Sequence, residues 1–132
     1  MKYAYPAIFT PEDEGGYGVM VPDLPGCFTC GNNIIDAIDM ARDAISMWIC
    51  DAEDKNESIP EPSDLSKHQP SSGGFINLVD VDTIEYRRQN DSRAVKKTLT
   101  IPSWLNVKAE KAGINFSQVL QNALKDQLDL NN

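Results

Sequence analysis

The chain has 132 residues, of which 41% are apolar and 24% charged, so it can hold one modest core with a small appended element, which excludes a large two-domain enzyme. The net charge of -8 conceals a division, because residues 1–85 carry 4 basic and 16 acidic side chains whereas residues 86–132 carry 8 and 4. Acidic surfaces repel phosphate and attract basic proteins, so we do not expect one nucleic-acid role spread over the whole chain.

The apolar runs and the cysteines indicate the compartment. No apolar run is long enough for a membrane span, and the first residues lack a signal-peptide core. An odd set of three cysteines fits a reducing environment, so we expect a soluble cytoplasmic protein. Cys27 and Cys30 have the spacing of a zinc knuckle or a redox pair, but zinc needs four ligands and only Cys50 and His68 remain as partners. We therefore expect half-buried structural cysteines and no metal or cofactor.

The first thirty residues favour three short strands. Tyr3–Thr10 and Tyr17–Val21 are rich in β-forming residues, and the acidic, glycine-containing loop Pro11–Gly16 between them predicts a hairpin. The turn Asp23–Gly26 follows, and Cys27–Cys30 is the expected third strand.

A helix is predicted next. Asn33 is suited to cap it, with Asp36 three residues later near the positive end of the helix dipole, and the apolar pattern continues to about Asp51. Its apolar side chains recur at spacings of three and four, which indicates a stripe packed on the sheet. The stripe consists of Ile34, Ile38, Ala41, Ile45 and Trp48.

The middle of the chain predicts a loop, a strand and a linker. Asp54–Gly74 is rich in Pro, Ser and Gly, and Phe75–Val81 has the composition of a strand. The polar segment 83–94 is weakly periodic, which is typical of a linker that can contain a helical turn. The expected domains are therefore 1–82, with β-β-β-α-β order, and 95–132.

The C-terminal segment begins with a short basic strand. Side chains alternate along a strand, so Leu99 and Ile101 share one face while Lys96, Thr98 and Thr100 share the other. One face is apolar and the other is basic and hydrogen-bonding.

Two short helices are predicted after this strand. Pro102 suits the first helix start, Gly113 ends that helix, and Asn115 caps the second. A β-α-α unit formed by residues 95–132 alone is too small to bury a stable core, so we expect it to fold only together with a second copy. The expected dimer core consists of Leu99, Ile101, Leu105, Leu120 and Leu124.

Two paired strands form a ribbon that fits the DNA major groove, where Lys96, Thr98 and Thr100 could contact base edges or phosphate. The free amides near Asn115, Phe116 and Ser117 suit a flanking phosphate. The segment resembles the ribbon-helix-helix family of repressors. A dimerising helical hairpin without DNA contact is the alternative interpretation.

The N-terminal segment resembles the HicB-type antitoxins. The similarity lies in Tyr5–Phe9, the acidic hairpin loop, Tyr17–Cys27 and the helix that follows. The resemblance implies an α+β chain in which a partial ribonuclease H-like domain without nuclease activity precedes a ribbon-helix-helix tail. It also implies a partner, the HicA toxin, which is a small basic RNA-cleaving protein, and operator DNA bound by the tail of a homodimer.

The charge division agrees with these two roles. An acidic surface can cover an RNA-binding toxin by mimicking phosphate, and opposite charges accelerate association. The expected mechanism is thus inhibition by occlusion, with repression of the protein's own operon by the tail. The candidate toxin-facing residues are Glu12, Asp13, Glu14, Asp23, Asp36, Asp39, Asp43 and Glu53.

Two other functions fit parts of the same sequence. A ribonuclease H-like nuclease needs clustered carboxylates, for which Asp23, Asp36 and Asp80 could be proposed. Each of these has a sufficient local role, and His68 has no evident partner, so the sequence predicts no enzyme. The other alternative is a ribbon-helix-helix repressor whose acidic domain senses a small ligand.

Overall fold

A computed structural model describes residues 1–91 and 93–130. The chain divides into two compact units, Met1–Arg93 and Ala94–Asn132. Within the described residues, no helix is both long and apolar enough to cross a membrane.

The first unit contains a four-stranded antiparallel sheet. Its strands are β1 (Lys2–Pro11), β2 (Tyr17–Met20), β3 (Phe28–Gly31) and β4 (Phe75–Asp82), in the spatial order β3-β2-β1-β4. The hairpin β1-β2 and the fourth strand confirm the sequence prediction. The third strand begins one residue later than predicted, because the Cys27 amide donates to the Leu24 carbonyl at 3.0 Å within the preceding turn.

Alternation along the strands assigns the two faces of the sheet. Tyr5, Ala7 and Phe9 on β1 are fully buried, and Val19 on β2 and Val79 on β4 are only 4% and 2% exposed. The rings of Phe9 and Phe75, which are opposite each other in the ladder, stack with centroids 5.0 Å apart. This face of the sheet therefore forms the core.

Helix α1 (Ile34–Asp54) covers that face and begins as predicted. The Asn33 side chain accepts a hydrogen bond from the Asp36 amide at 2.9 Å, and the Asp36 carboxylate accepts one from the Asn32 amide at 2.8 Å. A Cβ at Gly31 would collide with the backbone of Ala37, so the glycine lets β3 approach the first turn of the helix.

The predicted stripe of α1 is confirmed in part. Ala41 and Ile45 are fully buried, whereas Ile34, Ile38 and Trp48 are partly buried against the same core. The most buried line of the helix is rotated slightly from the predicted stripe, since it runs along Ala37, Ala41, Ile45 and Ile49. The additional buried residues are Ala37, Ser46, Ile49, Cys50 and Ala52.

The sequence predicts a linker over 83–94, and for most of its length this is wrong. Thr83–Asn90 forms helix α2, which contacts α1 and belongs to the first unit. Asp82 begins the helix, because its carboxylate accepts hydrogen bonds from the amides of Ile84 and Glu85 at 3.0 and 3.4 Å. The helix is polar on nearly all sides, so periodicity could not reveal it.

The second unit contains two helices, α3 (Ser103–Lys111) and α4 (Phe116–Gln127). Gly113 lies between them with a positive φ of 70°, which confirms the predicted end of the first helix. The Asn115 side chain accepts a hydrogen bond from the Gln118 amide at 3.0 Å, which confirms the predicted cap of the second. The predicted strand over 96–101 is not formed in the single chain. A strand requires a hydrogen-bonded neighbour, and the described part of this unit contains no other strand.

Candidate partner-binding site

A groove of about 570 Å³ lies in the first unit, between α1, β4 and α2. Acidic side chains dominate its lining, so its potential favours a positively charged partner. We call it the acidic groove. Its carboxylates are Asp39, Asp43, Asp80, Asp82 and Glu85, and its cations are Lys2 and Arg42.

Arg42 holds the two sides of the acidic groove together. Its Nε donates to the backbone carbonyl of Asp80 at 2.9 Å, and its Nη2 donates to Asp80 Oδ1 at 3.1 Å. Its Nη1 lies 3.8 Å from Asp39 Oδ1. The hydrogen bond from Arg42 holds the pKa of Asp80 below its usual value. The guanidinium therefore partly neutralises the middle of the groove.

Helix α2 forms the third wall and is fixed to the end of α1 by Arg87. The Nη2 atom of Arg87 lies 3.2 Å from the Cys50 carbonyl, 3.2 Å from Glu53 Oε1 and 3.1 Å from Asp54 Oδ1. The hydrogen bond to Glu53 raises the pKa of Arg87, and burial raises the pKa of Tyr86 nearby. Such a shared guanidinium orients both helices at the groove.

The acidic residues predicted to face a partner lie in separate places. Asp39 and Asp43 line the acidic groove, whereas Glu12, Asp13 and Glu14 lie on the exposed loop between β1 and β2. The predicted set therefore combines residues from two separate structural elements, the acidic groove and the loop between β1 and β2.

Three other predicted residues have bonds within the unit. Asp36 closes the cap of α1, and Glu53 pairs with Arg87. Asp23 Oδ2 accepts hydrogen bonds from the amide and hydroxyl of Ser63 at 3.0 and 2.9 Å. Their carboxylates thus stabilise the fold, and a role for them in binding a partner stays a prediction.

His68 has a partner, contrary to the sequence prediction. Its Nε2 lies 2.6 Å from Ser63 Oγ, which also bonds Asp23. A nucleophilic triad has the histidine between the serine and the acid, whereas here the serine is in the middle. The arrangement fixes the loop after α1 and does not activate a nucleophile.

The carboxylates considered for a nuclease do not form one site. Asp23 bonds the loop at Ser63, Asp36 caps α1, and Asp80 pairs with Arg42. Among the described residues, no three His, Cys, Asp or Glu side chains are grouped so as to hold a metal ion. The three cysteines are free thiols, with Cys27 and Cys50 buried and Cys30 exposed.

Three groove residues were absent from the predicted partner-facing set. Asp80 and Asp82 end a strand, and Glu85 lies on α2. The sequence Asp80-Val81-Asp82 could have indicated these residues, because it is acidic and Asp82 is a suitable helix N-cap. The segment after it was interpreted as a linker, so the helix that completes the groove was not predicted.

The residues predicted to contact DNA lie in the second unit. Lys96, Thr98 and Thr100 are exposed in a segment without helix or strand, while Asn115 caps α4 ahead of Phe116 and Ser117. Four predicted dimer-core residues expose 42–63% of their surface in the single chain, and Leu120 is partly buried. The exposed four are Leu99, Ile101, Leu105 and Leu124.

Comparison with known proteins identifies the class. A chain of the toxin-antitoxin complex from Streptococcus pneumoniae superposes with a TM-score of 0.64 and 29% identity, covering 96% of this chain and 99% of that one. The antitoxin HicB of Burkholderia pseudomallei gives a TM-score of 0.54 and 26% identity over 98% of both chains. The fold is thus that of bacterial antitoxins.

The family follows from sequence matches. The profile described as "HicB-like antitoxin of bacterial toxin-antitoxin system" matches residues 5–124. Antitoxin HicB of Escherichia coli K12 is 39% identical over 64 residues, which cover 48% of this chain and 46% of that protein. The chain therefore belongs to the HicB-like antitoxin family.

Proposed function

We propose that this antitoxin binds and occludes a HicA-type toxin, a basic RNA-cleaving protein, through its acidic first unit, and that it acts in the cytoplasm. The observation that carries this proposal is the charge division, since residues 1–85 hold 16 acidic and 4 basic side chains. Similarity over nearly the whole chain to a protein from a toxin-antitoxin complex supports it. Opposite charges accelerate capture and discriminate against acidic partners.

The second unit supports a regulatory role in the same proposal. A homodimer through this unit would pair two copies of the segment 96–101 and cover the exposed apolar side chains on α3 and α4. Lys96, Thr98 and Thr100 would then lie on the ribbon surface that enters the major groove of the operator. The antitoxin would in this way repress its own operon.

The proposed function is tested by looking for a short reading frame for a small basic protein next to this gene and co-expressing its product with the full chain. The expected result is a stable complex in which RNA cleavage by that protein is suppressed. A stable complex in which RNA is still fully cleaved would contradict occlusion. Failure to form a complex would contradict the toxin-antitoxin pairing itself.

A further inference from the structure

The sheet of the first unit has one face that α1 does not cover, and that face carries an apolar stripe. Register places Ile76, Ile8, Met20 and Phe28 opposite one another on four neighbouring strands. Side chains directly opposite in a ladder lie on the same face. Phe28 exposes 66% of its surface and Met20 39%, whereas Ile8 and Ile76 are partly buried, so the open part of the stripe lies on β2 and β3. We call these four residues the sheet-face patch.

An acidic residue borders the sheet-face patch. Gly18 precedes Met20 by two positions along β2 and faces the same side, and Glu12 Oε1 lies 3.1 Å from the position that a Cβ on Gly18 would take. The carboxylate therefore lies over this face beside the patch. Asp13 follows it in the same exposed loop.

We infer that the sheet-face patch is the centre of the surface on which the basic toxin docks, an inference that rests on the proposed function. Apolar and aromatic side chains at the centre of an interface supply most of the affinity, whereas charges at its rim supply steering and specificity. Phe28 and Met20 form such a centre, and Glu12 supplies the rim. The partner then presents an apolar area bordered by a lysine or arginine.

Charge decides between the possible occupants of this face. A second copy of the acidic first unit would bring like charge against Glu12, and nucleic acid would bring phosphate; both are repelled. A basic protein surface is complementary to the loop and the patch together. The structure therefore favours the toxin over a second copy.

The acidic groove is less suited to be the centre of the interface. Arg42 already binds Asp80 across it, and within the described residues none of the large exposed apolar side chains lines it. Charge without apolar burial accelerates encounter more than it slows dissociation. The groove therefore contributes to attraction at long range.

Cys30 provides a reporter on this face without any substitution. It is opposite Gly18 in the ladder and two positions from Phe28, so it lies beside the patch, and it is exposed while Cys27 and Cys50 are buried. Thiol modification of the full-length antitoxin with a disulfide reagent should therefore report mainly Cys30. We expect its rate to fall at least tenfold when a catalytically inactive HicA-type toxin is bound.

Substitutions provide the second measurement on the full chain. Phe28→Ala should weaken toxin binding at least tenfold, whereas Ile35→Ala, which truncates an exposed apolar side chain on α1, should change it less than twofold. The double variant Cys30→Ser, Asp43→Cys moves the reporter thiol to the acidic groove, and this groove thiol should remain reactive in the complex.

The outcomes separate the two proposals. If the wild-type chain does not bind the toxin, the proposed function fails and this inference with it. If it binds, but Cys30 stays reactive and Phe28→Ala binds normally, only the docking face is wrong. Protection of the groove thiol in the double variant, together with a reactive Cys30 in the wild-type complex, would assign the docking to the groove. Reduced self-association of Phe28→Ala with unchanged toxin affinity would assign the face to a second copy.

Discussion

Asp23 and Ser63 are joined by two hydrogen bonds to a single carboxylate oxygen, at 3.0 Å from the amide and 2.9 Å from the hydroxyl of Ser63. This contact fixes the loop after α1 to the turn after β2. Asp23→Ala should lower the free energy of unfolding by about 1–2 kcal/mol, since a partly buried amide and hydroxyl lose their acceptor. Limited proteolysis within residues 56–74 should become faster. Asp13→Ala, on an exposed loop, is the control, and equal proteolysis of the two variants would contradict this role for Asp23.

Arg87 should be the main attachment of α2. Arg87→Ala removes one carbonyl and two carboxylate contacts on α1, so we expect a loss of about 1–2 kcal/mol in urea unfolding and faster amide exchange in residues 83–90. Arg93→Ala removes only a local, exposed pair with Asp91, so as the control it should leave the exchange of α2 unchanged. Unchanged exchange in Arg87→Ala would show that α2 is held by other contacts.

Tyr5 should make the fold sensitive to alkaline pH. Burial, with the nearby charges of Tyr3, Asp23 and Glu61, raises its pKa to about 12, and its hydroxyl donates to the Pro60 carbonyl at 2.6 Å. Because the unfolded tyrosine ionises near pH 10 and the folded one near pH 12, stability that is present below pH 10 is lost as the pH rises from about 10 to 12.

The comparison with Tyr5→Phe isolates that effect. At pH 8 the wild type should be more stable by about 1 kcal/mol, because the variant lacks the hydrogen bond. By pH 11, ionisation of the unfolded tyrosine lowers the free energy of unfolding of the wild type by about 1.4 kcal/mol, so its advantage over Tyr5→Phe should disappear or change sign there. Parallel stability profiles of both proteins between pH 8 and 11 would contradict this assignment.

The threonines of the second unit should read DNA bases. Thr98→Ala or Thr100→Ala should reduce discrimination between operator and random DNA by about 1–3 kcal/mol, because each hydroxyl can bond a base edge. Lys96→Ala should flatten the salt dependence by about one unit if it contacts phosphate. Equal losses on operator and random DNA for the threonine variants would refute base readout.

The sequence predicted those elements whose signals are local and strong. Some features are encoded by residues close together in the sequence, and the structure contains them: the caps at Asn33 and Asn115, the helix end at Gly113 and the apolar repeat of α1. The resemblance to the HicB-type antitoxins was confirmed by the match over residues 5–124, whereas the resemblance of the tail to ribbon-helix-helix repressors stays a prediction.

What the sequence could not predict depends on distant contacts. Helix α2 has little apolar periodicity and is held by Arg87 against residues more than thirty positions away. The acidic groove requires that helix, and the loop contact requires Asp23 to meet Ser63 across 40 positions. Charge alone could not separate carboxylates that stabilise the fold from those on an open surface. The DNA-facing and toxin-facing residues stay predictions.

We expect the acidic first unit to capture the toxin by itself, and an RNA-cleavage assay measures this directly. Residues 1–93 form a compact unit with its own core, so they can be titrated against a HicA-type toxin beside the full chain. We expect both proteins to suppress cleavage near equimolar ratio, while only the full chain binds operator DNA. Cleavage that persists with excess folded 1–93, but stops with the full chain, would contradict the proposed division of roles.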